Sequence, residues 1–490
     1  MKKTILLLCS LMLGFGLSWA QKRDCKCQQD FDFIISYVEK NHPGFADNVT
    51  PENRQKYESY IADIQKQINE HPNPDVYCLM FLRQYLNYIY DNHLQIGADN
   101  IGIDEKNADL VAQFKASPLF QQCERVSVDS AQIYQYLSQS KDPIEGIYDD
   151  GVYRVAVLKN QTAWRDYYGV ILDAKTSLWE RGQVKLEIKK RTDDFYDLWL
   201  YLRNHNLQYR NSLRNNKSSL LVKQMLGNSQ KIFPIVGEEV VSNYYQAPDG
   251  DWFQFKELND STCYVHIKSF DGSLASKFDS AYKVILPIIT QKPYLIVDVR
   301  DNGGGSDRNW QELGKLTYTN PYPASTTYVY CTADIITRYK EVVAEVKANE
   351  ADYGKGLAKY FEKRIEKMQK QPEQSFYPLS DEKKVVIAGG GSKTPQKIVV
   401  LFNRYSASAA EGFILHAANS KKTILMGENS GGYIAYGNLF PLKTPNGYTF
   451  YCTTQKTPSR LQYEIVGIPP QVYAQNNEDW IVQALKLLNK

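Results

Sequence analysis

Tyr294-Leu-Ile-Val-Asp-Val-Arg-Asp-Asn-Gly-Gly-Gly305 and Ile398-Val-Val-Leu-Phe-Asn-Arg-Tyr-Ser-Ala-Ser-Ala-Ala-Glu411 are the stretches that decide the fold. Each is a short apolar run that stops abruptly in a turn. A strand ending in three glycines leaves backbone N–H groups open to a ligand, because no Cβ blocks the approach. A strand ending in Ser-Ala-Ser-Ala-Ala-Glu presents a hydroxyl at the start of a helix, where the dipole and unpaired N–H groups favour developing negative charge. Together the two turns offer a nucleophile and an oxyanion site, the equipment of acyl transfer.

Working outward, apolar runs at 263–267, 294–299, 397–402 and 423–427 are separated by helix-length segments, which predicts strands joined by crossover connections. The charged, amphipathic stretch 333–370 reads as a solvated helical excursion from this α/β part. Residues 30–92 read as helices: Thr50-Pro51 predicts a helix start, and Tyr57, Ile61, Ile64 and Ile68 share one face. His71-Pro-Asn-Pro74 ends that helix, and Leu79, Leu82, Leu86 and Ile89 mark the next. The period then shortens toward a strand across Asp91–Ile96. Alternation of Val184, Leu186 and Ile188 with Lys185 and Glu187, and similar patterns at 151–158 and 168–172, predict an antiparallel module. Residues 195–235 carry no clear period. The expected organisation is a leader over 1–20, a helical subdomain over 21–97, a β-rich module over 98–250 and a catalytic core over 251–490.

The 490 residues are too many for one compact core. Lys2 and Lys3, the apolar stretch Ile5–Leu17 and the small-x-small Ser18-Trp19-Ala20 read as a secretory signal, which predicts a periplasmic, outer-surface-associated or secreted protein. The apolar stretch is too short to span a bilayer, and no later run is long enough. Without Lys2 and Lys3 the formal charge falls from +3 to +1, so no basic excess points to nucleic acid. Seven cysteines follow the signal, at 25, 27, 78, 123, 263, 331 and 452, with no CxxC pair and no metal-ligand spacing. Most read as buried small hydrophobes, and Cys25 and Cys27 as candidates to pair elsewhere.

Ser408, directly after a buried strand, is the candidate nucleophile; Ser406, one turn earlier, competes for the role, although a helix cap is the ordinary use of serine there. A serine needs a base. Of six histidines, His416 lies eight residues beyond Ser408 on the same expected helix, roughly 12 Å away. His266 falls within a strand, His42 and His71 precede prolines at helix ends, and His205 lies in a polar stretch. His93, at a helix-to-strand junction, is the candidate base. Glu464, before a Gly-Ile-Pro-Pro turn, is the candidate orienting carboxylate.

Asp298-x-Arg-x-Asn-Gly-Gly-Gly, Ser-Ala-Ser-Ala-Ala-Glu, Gly427-Glu-Asn-Ser-Gly-Gly432 and Glu464-x-x-Gly-x-x-Pro, in that order, resemble the C-terminal processing peptidases, also called tail-specific serine proteases. The resemblance covers roughly 260–475, more weakly 30–96, and implies a crotonase-like α/β core. One branch of the family uses a lysine base after the Gly-rich stretch; Tyr433 stands at that position here. The tricorn-like branch uses Ser, His, a second Ser and Glu. His93 and Glu464 match that pattern, and Asn92 replaces the second serine beside the histidine.

The resemblance implies an exported serine endopeptidase acting on polypeptides, without metal or cofactor. Ser408 would attack, His93 would relay the proton, Glu464 with Asn92 would orient the imidazole, and the Gly304 and Ala409 N–H groups would hold the oxyanion. Asp298 and Arg300 read as buttresses of the loop. The peptide-docking PDZ module of many relatives has no recognisable carboxylate loop over residues 100–250, so peptide addition to a strand edge is the expected docking mode. A non-catalytic peptide- or small-ligand-binding protein on the same scaffold is the alternative reading. A crotonase-fold enzyme for acyl thioesters is a third, disfavoured by the export signal and the lack of an evident nucleotide-binding loop. Oligomeric state is not encoded in any pattern of the chain.

Overall fold

In the computed structural model, the described residues are 24–98, 102–190, 196–211, 222, 226, 229–234, 252–349, 356–380, 383–387, 391–475 and 478–489. The expected leader lies outside them. Among the described residues no helix is long and apolar enough to cross a membrane.

The α/β part is a six-stranded sheet in the order Val472–Tyr473, Thr423–Gly427, Lys397–Phe402, Tyr294–Asp298, Thr262–Ile267, Phe253–Asn259. All neighbours are parallel except the last pair, where Phe253–Asn259 adds an antiparallel edge that the alternation had not predicted. Successive side chains point to opposite faces. Cys263, Val265, Ile267, Leu295, Val297, Ile398, Val400 and Phe402 therefore pack together on one face, against Phe278, Ile285 and Phe413 from the helices Ala275–Ile289 and Ala409–Ala418. Tyr264, Ile296, Val399, Leu401 and Met426 pack on the other, under Trp480, Ala484 and Leu488 of the last helix. Burial on both faces is why these strands read as unbroken apolar runs.

The N-terminal helices are Lys26–Asn41, Arg54–Glu70 and Cys78–Leu86. The second begins three residues after the predicted Pro51 start, because Asn53 Oδ1 accepts the Thr50 N–H and closes a turn first. A Cys27–Cys78 disulfide joins the first helix to the third, while Cys25, Cys123, Cys263, Cys331 and Cys452 are outside disulfides. Residues 146–233 contribute a seven-stranded antiparallel sheet. Its Tyr148, Val155, Leu186, Trp199 and Tyr201 share one apolar cluster with Phe31, Ile64, Phe81 and Tyr85 of the N-terminal helices. Helices and sheet are thus one packed body. The region expected to be β-rich also holds the helices Ala108–Ala116 and Ser130–Gln139.

A third sheet joins the two bodies. Its order is Gln95–Gly97, Thr449–Lys456, Tyr328–Cys331, Ser375–Pro378, and Tyr436–Lys443 pairs with Thr449–Lys456. Gln95 lies opposite Tyr451 and Gly97 opposite Thr449. Among the described residues the excursion carries two helices, Ala333–Ala348 and Leu357–Met368. They have a small core of their own, Ile335, Tyr339, Val343, Ile365 and Met368, closed by Phe440. The excursion is therefore solvated on one face only.

Candidate active site

Ser408 and His93 line the same cleft, a cavity of about 630 Å³. His93 is carried there by the turn after the helix Cys78–Leu86, which feeds into the strand Gln95–Gly97 and is fixed against Thr449–Lys456 by its ladder. Ser408 caps the helix Ala409–Ala418 with φ 55° and ψ −114°, a backbone conformation rare for a residue with a Cβ. Its N–H donates to Glu411 Oε2 at 2.9 Å. Ser406 is otherwise engaged: its hydroxyl donates to Val299 O at 2.7 Å and accepts from Asn403 N–H, locking the turn to the neighbouring strand.

Glu411, fully buried, is the hub of the elbow. Oε1 accepts the Ser430 hydroxyl at 2.6 Å and the Gly432 N–H at 2.8 Å, and Oε2 accepts the N–H groups of Tyr433 and Ser408. Burial raises its carboxyl above the ordinary range, opposed by these donors. Sequence reasoning treated Glu411 only as the end of a motif. Its spacing to Ser408, the Ser-x-x-Glu of a capping box, was the available signal.

The imidazole of His93 is buried, and Tyr433 meets it edge to face at 5.3 Å between centroids. Burial lowers its pKa, with the charge of Asp91 pulling the other way. Asp91, another residue the sequence reading passed over, is fully engaged. Its Oδ2 accepts His42 Nε2 and the Thr453 hydroxyl, each at 2.8 Å, and its Oδ1 accepts the His93 N–H at 2.8 Å. Oδ1 lies 3.7 Å from His93 Nδ1. His42 Nδ1 accepts the Gly44 N–H, so its proton sits on Nε2 and points at Asp91. His42 thus keeps the turn role expected of it, through the Gly44 N–H, and adds a buried contact to Asp91. Burial works to raise the Asp91 carboxyl, but the His42 hydrogen bond and the neighbouring imidazoles hold it below the ordinary range.

Glu464 completes the cluster: one ligand atom each from Asp91, His93 and Glu464 lies within 4.8 Å of the others. Glu464 Oε1 accepts the Asn92 N–H at 3.2 Å, and Oε2 accepts the N–H groups of Ile434 and Ala435. Burial, then the Asp91 charge, pushes its carboxyl well above the ordinary range.

Two expectations need correction. The Asn92 side chain makes no bridge to the imidazole: its amide donates to Gly431 O at 3.2 Å and Gly432 O at 3.0 Å, and its link to Glu464 is through backbone N–H. The Gly304 N–H, expected to be open, is already engaged: it donates to Asn302 Oδ1 at 2.9 Å, closing an Asx turn. Gly304 matters by its size instead. At φ 95°, a Cβ there would lie 2.7 Å from both Ala407 O and Ser408 Cβ. Gly303 and Gly305 line the cleft, and the Ala409 N–H makes no hydrogen bond to a described residue.

The remaining histidines are elsewhere. His416 bonds Tyr322 and Gly314 O, His205 stacks on Trp179, His71 packs on Tyr77 and Trp164, and His266 is buried in its strand. Asp298 and Arg300 form a buried bidentate pair below the Gly-rich turn, with Tyr264 as third member, as buttresses would.

Residues 261–474 match the model of peptidase family S41. Comparison with curated proteins gives no match. Among solved structures the chain is similar to a putative peptidase from Parabacteroides merdae, with 21% identity and a TM-score of 0.32, covering 49% of this chain and 65% of that one. Mature CPAF aligns at 12% identity and a TM-score of 0.48, covering 94% of this chain and 96% of that one. A putative S41 protease from Bacteroides fragilis aligns at 12% identity and a TM-score of 0.29, covering 80% and 99%. The chain thus spans just under two thirds of the first of these.

Proposed function

Because residues 261–474 match the model of peptidase family S41, we propose that the chain is an exported serine endopeptidase that hydrolyses peptide bonds through an acyl-enzyme. Ser408 Oγ attacks the carbonyl carbon of the scissile bond. His93 takes the hydroxyl proton and returns it to the leaving amine. Because burial depresses its pKa, the imidazole is neutral at neutral pH and ready to act as a base. With Nδ1 turned toward Asp91, Nε2 is the nitrogen left for the serine.

Two acidic side chains flank the imidazole, with different roles. Asp91, held ionised by His42 and Thr453, stabilises the imidazolium that forms during attack. Glu464 and Asn92 are positioning residues: they tie the histidine turn to residues 431–435. The oxyanion is received by the Ala409 N–H and by an N–H of the glycine turn other than that of Gly304. Losing one such donor costs ~2.7–4 kcal/mol of barrier. The parallel sheet with helices on both faces supports a crotonase-like core, and the leader read from residues 1–20 supports export.

The observation that carries this reading is the meeting of Ser408 and His93, from distant parts of the chain, in one cleft. The test is labelling by a fluorophosphonate serine probe. Labelling of the wild type that is lost in both Ser408→Ala and His93→Ala is the expected result. An unlabelled wild type that still binds peptide would replace the peptidase with the binding protein. Export is tested by the mass of the protein recovered from outside the cytoplasm, expected to start near Gln21.

A further inference from the structure

The residues lining the cleft include one fixed charge. His93, Gln95, Tyr433, Asn438 and Leu439 are neutral or titrate near neutrality, the glycines and Ala407 bring only backbone, and no Asp or Glu is among the lining residues. The exception is Arg404. It sits on the turn that leads into Ser408, and no carboxylate of a described residue is in ion-pair reach of its guanidinium. Nη2 donates to the Tyr405 hydroxyl at 2.7 Å, and the guanidinium lies over the Tyr405 ring at 4.8 Å. Tyr405 is itself 51% exposed.

The turn beneath is rigid. Asn403 Oδ1 accepts the N–H groups of Asp301 and Tyr405, Asn403 Nδ2 donates to Asp301 Oδ1, and the Ser406 hydroxyl is bonded to Val299 O. A cation stacked on an aromatic ring, beside a hydroxyl and on a fixed backbone, is prepared to receive a planar anion. An arginine inside a structure ordinarily answers to a carboxylate; this one faces the cleft where substrate must lie.

We propose that Arg404 is a specificity-determining residue that binds a carboxylate of the polypeptide substrate. The inference rests on the peptidase reading for its consequence, though not for its chemistry. A polypeptide offers this group from two sources, an acidic side chain near the scissile bond or the α-carboxylate of the chain end. The guanidinium fork suits either by paired N–H···O bonds.

The test uses three internally quenched peptide pools. One carries Glu at randomised positions and an amidated C terminus. The second has Gln wherever the first has Glu. The third is the Gln pool with a free C-terminal carboxylate. Wild type is expected to cleave the Glu pool or the free-acid pool roughly 10- to 100-fold faster, in kcat/KM, than the neutral pool, the scale of one charge-assisted bond pair. The Glu pool identifies a side-chain carboxylate, and the free-acid pool identifies the chain end. In Arg404→Gln the ratio should collapse to about one, and in Arg404→Glu it should invert. Each ratio is measured within one preparation, so a misfolded fraction cancels. Equal rates for all three pools in the wild type, or a ratio retained in Arg404→Gln, would overturn the proposal. Anisotropy of the same peptides on Ser408→Ala separates the two readings. Preferential binding of a carboxylate pool without any wild-type cleavage would sink the peptidase and keep the anion site; cleavage without preference would do the reverse.

Discussion

The carboxylates of Asp91 and Glu464 lie within 4.8 Å of each other, with an imidazole nitrogen of His93 in the same span. Two buried carboxyls at that separation do not both ionise readily. Their surroundings divide the work. Asp91 has three donors, one of them the imidazole of His42, and is held below the ordinary range. Glu464 is raised well above it by burial and by Asp91.

That division predicts unequal mutants. Asp91→Asn removes the charge that steadies the imidazolium and should lower kcat by roughly 10²–10⁴-fold, as loss of an orienting aspartate does in a serine triad. Glu464→Gln keeps the shape of a side chain whose carboxyl burial and Asp91 push well above the ordinary range, and should cost less than about 10-fold. Steady-state kinetics of the two variants decide the matter; a larger loss in Glu464→Gln would reverse the roles.

The pH dependence follows from His93. Burial depresses its pKa, so the acid limb of kcat/KM should fall below the ordinary imidazole value of about 6.5. Asp91 opposes that depression. Removing its charge in Asp91→Asn therefore moves the limb to still lower pH. A shift toward neutrality in that variant would contradict the assignment.

Gly304→Ala tests the glycine turn. The new Cβ meets the Ala407 carbonyl and the Ser408 Cβ at 2.7 Å, on a backbone at φ 95°. The serine elbow has to move, and a displacement of order 1 Å costs about 10²-fold in rate. Fluorophosphonate labelling kinetics should slow by at least that factor, with a fall in melting temperature.

Glu411→Ala strands four donors in a buried place: the Ser430 hydroxyl and the N–H groups of Ser408, Gly432 and Tyr433. At ~1–3 kcal/mol for each unsatisfied group, less what relaxation recovers, a loss on the order of 3 kcal/mol is expected. Glu411→Gln keeps one oxygen and should lose less. Urea unfolding midpoints measure both.

The strands of the α/β core were legible because each is buried on both faces, so Tyr294–Asp298 and Lys397–Phe402 carry an unbroken apolar signal. Phe253–Asn259 was not, since an edge strand with Lys256 and Glu257 exposed has no such run. Ser408 and His93 were readable from where they punctuate elements. Asp91 and His42 were not, because their meaning lies in a contact between a helix end and a later turn that no local pattern encodes. Gly304 was read as a donor because the sequence shows that Gly lacks a side chain and cannot show which way its N–H turns; Asn302 decides that. The Cys27–Cys78 bond likewise depends on two helices lying side by side.

The ladder between Gln95–Gly97 and Thr449–Lys456 fixes the histidine turn to a segment far downstream of it in the chain. A chain that has folded only the helices, the middle sheet and the serine elbow still has the His93 turn without its ladder. The cleft is therefore a product of long-range pairing: His93 and Ser408 share it only once Thr449–Lys456 has docked on Gln95–Gly97.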